Sequence, residues 1–275
     1  MYQKIPIIIL SFLAILNLYC TENKGPTKIN EPDPHQFIKG RVLLENQTNH
    51  AHCPVVLDSL NIGTLTDSSG YYEIFLSDSL AEVNGTFKVY IYLYDYDLDS
   101  LAIRIEDGKV IWGEEDVDDN GNLKTITLKQ LLSITATTDK GNYVVNEAIN
   151  ILSTFINASK RIVYLSTGTM FVYFYDINTK ETDFLNTDIT YDQPRINPGD
   201  TLTRGAETER NKISEGYFIT IHSVIREYRI PQCLISYFFE LENQYSDVLY
   251  LGGPFILFLN DSKNLNYPLI EVTEN

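Results

Sequence analysis

The sequence predicts an all-β fold, two β-sandwich domains in tandem, and three observations carry that expectation. The 275 residues include 19 Tyr within an aromatic fraction of 12%, and aromatic and β-branched side chains suit half-buried pleated surfaces better than helices. Apolar residues fall in short runs separated by turn residues, with no long stretch of helical period. The length suits two bodies of roughly 100 to 140 residues, each able to bury a core of its own.

The first element is an address. Residues 1–20 carry one cation, Lys4, then an apolar run from Ile5 to Leu18, then Cys20. Such a run reads as a secretory segment and is short for a membrane span. Residues 21–36 turn polar, and Pro26, Pro32 and Pro34 with Gly25 read as a flexible tether. The apolar run, the cysteine and the tether together resemble a bacterial lipoprotein signal, which implies a lipid on Cys20 and a place in the cell envelope, facing the periplasm or the cell surface. Asn17, Leu18 and Tyr19 depart from the Leu-then-small pattern of that signal. Cleavage by an ordinary signal peptidase and an uncleaved anchor therefore stay open.

A formal net charge of -16 repels phosphate backbones and anionic headgroups, so nucleic acid is not an expected partner. Cys53 and Cys233 fall in different bodies, and free buried thiols are expected of both.

Residues 37–132 form the first expected sandwich. Phe37 to Leu44, Pro54 to Leu57, Ile62 to Thr66 and Tyr71 to Leu76 are β-prone, and Asp67-Ser68-Ser69-Gly70 between the last two is a hairpin turn. Gly40-x-Val42, Pro54-Val55 and Gly63-Thr64-Leu65-Thr66-Asp67-x-x-Gly70-x-Tyr72-x-Ile74 resemble the carboxypeptidase regulatory-like domain, a transthyretin-like sandwich. That resemblance implies an accessory unit of exported proteins without peptidase activity.

Three groups in this region invite a site reading. Tyr90, Tyr92, Tyr94 and Tyr96 alternate with Val89, Ile91 and Leu93, so one strand face carries four rings that bind a sugar or peptide if they are exposed. Asp116-x-Asp118-x-Asn120-Gly121 reproduces the first half of a calcium loop, yet Thr127 stands where a bidentate Glu is expected. A weak calcium site at Asp116, Asp118 and Asn120 is the only cofactor expectation, against a solvated hairpin turn. His50, His52 and Cys53 have zinc-ligand chemistry but lack a fourth neighbour, since His35 and His222 lie far off in sequence.

Residues 133–275 form the second expected sandwich, with β-prone runs at Ile149 to Ile156, Arg161 to Leu165, Met170 to Tyr175, Gly216 to Ile221, Leu234 to Leu241 and Phe255 to Leu259. Tyr143-x-x-Asn146-Glu147-x-Ile149, Asn157-x-Ser159, Pro198-Gly199-Asp200 and Gly216-Tyr217 resemble immunoglobulin-like bacterial modules, including the BsuPI-type proteinase-inhibitor fold. Trp112 lies in the other body, so no antibody-type Cys-Trp-Cys arrangement exists.

No nucleophile elbow, zinc-protease helix, phosphate loop or dinucleotide fingerprint occurs, and an enzyme is not expected. The expected function is a non-catalytic binding or structural accessory for polysaccharide or an envelope protein. The alternative is proteinase inhibition through residues 133–275.

Overall fold

The computed structural model describes residues 33–139, 148–176, 178–188, 194–209, 216–225, 230–245, 248–252, 255–258 and 269–272. The secretory segment, Cys20, most of the tether, Tyr143, Asn146, Glu147 and the side chain of His222 lie outside the described residues. Among the described residues no helix is long and apolar enough to cross a membrane.

The first half of the chain builds eight strands: β1 (Phe37–Leu44), β2 (Pro54–Leu57), β3 (Ile62–Leu65), β4 (Tyr71–Phe75), β5 (Gly85–Ile91), β6 (Asp99–Glu106), β7 (Lys109–Val110) and β8 (Ile126–Leu128). They form a three-stranded sheet, β4-β1-β8, and a five-stranded sheet, β3-β2-β5-β6-β7. Strand β1 runs antiparallel to β4 and parallel to β8. Its alternation sends Ile38, Val42 and Leu44 inward, where they meet Val55, Leu57, Val89, Ile91, Ile103 and Ile105 from the facing sheet. Burying one such side chain fully is worth about 1.5–3 kcal/mol, so this inner core supplies the main driving force here. The predicted turn forms as expected: Asp67 accepts from the N–H groups of Ser69 and Tyr71, and Gly70 takes a φ of 84°.

The second half contains β9 (Leu132–Thr138), β10 (Ala148–Asn157), β11 (Val163–Asp176), β12 (Thr182–Asp188), β13 (Arg195–Ile196), β14 (Thr201–Glu209), β15 (Gly216–Ile225), α1 (Gln232–Gln244), β16 (Val248–Gly252), β17 (Phe255–Phe258) and β18 (Leu269–Val272). One sheet has the order β14-β10-β9, another β12-β11-β15-β18 with β13 beside β11, and β16 and β17 pair alone. Leu132, Phe155, Val163, Leu165 and Ile196, from β9, β10, β11 and β13, form a buried cluster with Leu131 just ahead of β9. The runs expected at Arg161 to Leu165 and Met170 to Tyr175 are one strand, whose pairing with β15 shifts register between Leu165 and Met170. Two turns expected separately are tied together by Asn157. Its Nδ2 donates to the carbonyls of Arg161 and Ile196, and its main-chain carbonyl accepts from Gly199.

Leu234 to Leu241, expected as a strand, is the core of helix α1. The buried residues Cys233, Leu234, Tyr237, Phe238 and Leu241 recur at helical spacing, and they pack on the outer face of the five-stranded sheet. Val56 of that sheet and Tyr92, just past the end of β5, join Leu234, Phe238, Leu241, Val248, Ile256 and Phe258 in one buried cluster. No described sheet mixes strands from the two sides of residues 129–131. This outer cluster nevertheless crosses that line, and Pro34–Asn275 forms one unit.

Candidate functional site

The four tyrosines expected to share a ligand-facing strand do not, and this is a correction. Strand β5 ends at Ile91, and the alternation runs only as far as Leu93: Tyr90 and Tyr92 face the outer cluster, Ile91 and Leu93 the inner core. Tyr92, Tyr94 and Tyr96 are buried and only Tyr90 is partly open. Tyr92 lies under α1, 6.1 Å from the ring of Phe238. Tyr96 turns the other way, into the inner core, and its hydroxyl donates to the carbonyl of Glu45. Burial pushes that hydroxyl up to about 12. These rings are packing groups: Tyr92 is covered by a segment more than a hundred residues downstream, and Tyr96 fills the inner core.

The acidic loop also has another task. Asp118 Oδ1 accepts from the N–H groups of Asn120 and Asn122 at 2.9 and 2.8 Å, so Asn120 contributes its main chain to a turn. Asp116 accepts from Lys124 Nζ at 2.8 Å and from the N–H of Ala102 at 2.7 Å. The lysine, then the amide, hold its carboxyl below the usual carboxylate range. Both oxygens of Asp116 and Oδ1 of Asp118 thus serve donors of the protein itself.

His50, His52 and Cys53 diverge into separate surroundings. His50 Nδ1 accepts from the N–H of Leu44, and burial pulls its pKa down. The His52 ring stacks on Phe258 at 4.8 Å. The Cys53 thiol donates to the carbonyl of Tyr92, and burial pushes its pKa up. Cys53 and Cys233 are both free and buried. Among the described residues no three His, Cys, Asp or Glu side chains gather as a metal site.

The structure brings a different set together, around β3. A cleft of about 1010 Å³ is lined by Thr64, Leu65, Thr66 and Asp67 on one side and by Lys39, Arg41, Tyr71, Tyr72 and Glu73 on the other. Lys39 pairs with Glu73 at 2.9 Å, and the Arg41 guanidinium lies 5.0 Å from the centre of the exposed Tyr71 ring. Tyr72 is buried at the cleft floor, and its hydroxyl has no hydrogen-bond partner among the described residues. It fits only because residue 40 is glycine: a Cβ there would stand 2.7 Å from Tyr72 Cζ. A second cleft, about 390 Å³, lies between Asn61 to Leu65 and the α1 residues Tyr237, Glu240 and Gln244. The absence of a side chain at Gly63 lets the Tyr237 ring approach, since a Cβ would come within 2.8 Å of it.

Strand β3 ends its sheet, so among the described residues one of its edges has no neighbouring strand. Thr66 donates to the carbonyl of Cys53 on the β2 side, and in an antiparallel ladder alternate residues point their polar groups to opposite sides. Ile62 and Thr64 therefore bond to β2, whereas Gly63 and Leu65 present N–H and C=O to the open edge. Sequence reasoning recognised this run as a strand but not as an edge. Edge status depends on which strands fail to pair, and no local signal records that.

Fold and site define an all-β, sandwich-like protein with two clefts beside one open sheet edge. No known family's sequence profile matches the chain, and no curated protein matches it in sequence. Among solved structures it is similar to a DUF3823 family protein from Bacteroides uniformis, at 10% identity and TM-score 0.33 over 88% of this chain and 100% of that one. It is also similar to BcpA, the major pilin subunit of Bacillus cereus, at 12% identity and TM-score 0.25 over 67% and 62%. A β-glucosidase involved in saponin metabolism from intestinal bacteria gives 14% identity and TM-score 0.24, over 35% of this chain and 16% of that one. Likenesses this distant carry no argument about what the chain does.

Proposed function

We propose that the chain is a non-catalytic accessory module of a bacterial cell envelope, held at a membrane by a lipid on Cys20 and binding polysaccharide or another envelope protein. The order of parts supports this reading: an apolar run, Cys20, a polar tether, then a β-body that begins at Phe37. Residues 34–36 are a 3-10 turn fixed to the β-body by His35 and Gln36, so residues 21–33 are left as tether and reach roughly 45 Å if fully extended. Binding is assigned to the clefts around β3 rather than to the tyrosines of residues 90–96.

Metabolic labelling with a fatty-acid analogue tests the anchor. The wild type is expected to carry the label and sediment with membranes, and Cys20→Ser to lose both properties. An unlabelled wild type would remove lipidation from the reading. Proteinase inhibition by residues 133–275 is tested on a panel of proteases, where dose-dependent inhibition would replace the accessory role.

A further inference from the structure

We propose that the open edge of β3 is a strand-addition site, where an extended basic segment of a separate envelope polypeptide pairs with Gly63 and Leu65 and sends alternate side chains into the two clefts. The proposal deepens the binding reading above and rests on it.

Three observations lead there. The main-chain groups of Gly63 and Leu65 point away from β2, and among the described residues none of them has a hydrogen-bond partner. An extended peptide offers its neighbour an N–H and a C=O at every second residue, about 7 Å apart. That interval also separates Gly63 from Leu65, and the rings and hydroxyls of a polysaccharide do not reproduce the alternation.

The clefts add specificity to that pairing. Both include Thr64 and Leu65, yet one opens toward β4 and the other toward α1. A strand laid along the edge would direct successive side chains to opposite faces, one set into each cleft. This is the arrangement in which main-chain bonds provide affinity and pockets on either side provide selection.

Charge then selects the partner. Glu240 in the smaller cleft has no ion pair among the described residues. Asp67 and Glu73 border the larger one, and the whole chain carries -16. Lys39 and Arg41 are already engaged, by Glu73 and by the Ser69 carbonyl. Lysine or arginine on the α1-facing side of the added strand matches this surface.

The probe is a display library of random linear peptides, selected on the full chain from residue 21 onward, with the best binder then synthesised. Binding is expected to slow amide exchange at Gly63 and Leu65 by roughly tenfold or more, and to change Thr64 less because β2 already holds it. N-methylation of the peptide main chain is expected to abolish binding at every second position of the paired stretch and to spare the positions between. Thr64→Lys should block binding with the melting temperature unchanged. Should that variant unfold, the methylation pattern on the peptide still decides. Failure to select any peptide, or binding without the period of two, would overturn the proposal. Slow exchange at Gly63 and Leu65 in the free chain would also overturn it, by assigning the edge to the chain's own residues or, where the protection rises with protein concentration, to a second copy. The anchoring reading is judged separately: loss of membrane association in Cys20→Ser leaves it standing even when strand addition fails.

Discussion

The two faces of the five-stranded sheet are both buried, but by different means. The inner face is closed by β1, β4 and β8, all within about ninety residues of one another in sequence, and its aliphatic side chains interdigitate with theirs. The outer face is closed by α1, β16 and β17. A short-range, alternating pattern specifies the first closure. The second needs a helix brought back from the far end of the chain, with its larger loop-closure cost.

The largest effects should come from testing whether the outer cover is as firm as the inner core. Tyr92→Ala is expected to cost about 3–5 kcal/mol and Ile103→Ala about 2–5 kcal/mol, measured by denaturant unfolding of the full chain. A loss below about 1 kcal/mol for Tyr92→Ala would mean that α1 is only loosely docked. Tandem independent domains predict that residues 37–132 and 133–275 each unfold cooperatively alone. The shared outer cluster predicts that residues 37–132 do so at lower denaturant than in the whole chain. Equal midpoints would show that the cover contributes nothing.

A smaller effect is expected inside the inner core. Gly40→Ala should cost about 1–3 kcal/mol, because the buried Tyr72 ring cannot retreat from a new methyl. Tyr72→Phe alone removes a hydroxyl without a partner and should be close to neutral. The double variant should recover part of the loss in thermal melts; no recovery would place the strain elsewhere than at this contact.

The smallest effect belongs to the sheet's margin, where Asp116 joins β6 to Lys124. Its folded pKa is lowered, so its contribution is present above the ordinary carboxylate value of about 4 and is lost as pH falls through the lower folded value. Solvent screening keeps that contribution under about 1 kcal/mol. The stability gap between wild type and Asp116→Asn should therefore close below about pH 4. A gap that persists there would mean that the amide fails for reasons other than charge.

The inner face was readable because strand content and turn chemistry agree there: Phe37 to Leu44, with period-two burial, and Pro54 to Leu57, buried on both faces, match the observed strands. The outer face was not. Ile235, Tyr237, Phe238 and Phe239 have strand-prone side chains, and their content outweighed the helical spacing of the buried positions from Cys233 to Leu241. Tyr90 and Tyr92 look like a ligand face only while the helix packed on Tyr92 is unknown. The clefts around β3 were illegible for a related reason: Gly63 and Tyr237 meet through tertiary packing alone.

The position of β1 has a mechanical consequence. Any load carried by the tether first meets the turn Pro34–Gln36, where His35 donates to the Val110 carbonyl and stacks on Trp112, and then β1, whose Phe37 to Arg41 pair with β4 and Val42 to Leu44 with β8. Tension along β1 shears both ladders, so their hydrogen bonds resist together instead of opening one after another as in a peeled edge strand. Resistance to pulling is set by the unfolding rate rather than by equilibrium stability. A body hung from this strand therefore puts one wall of the larger cleft, Lys39 and Arg41, on the loaded strand itself.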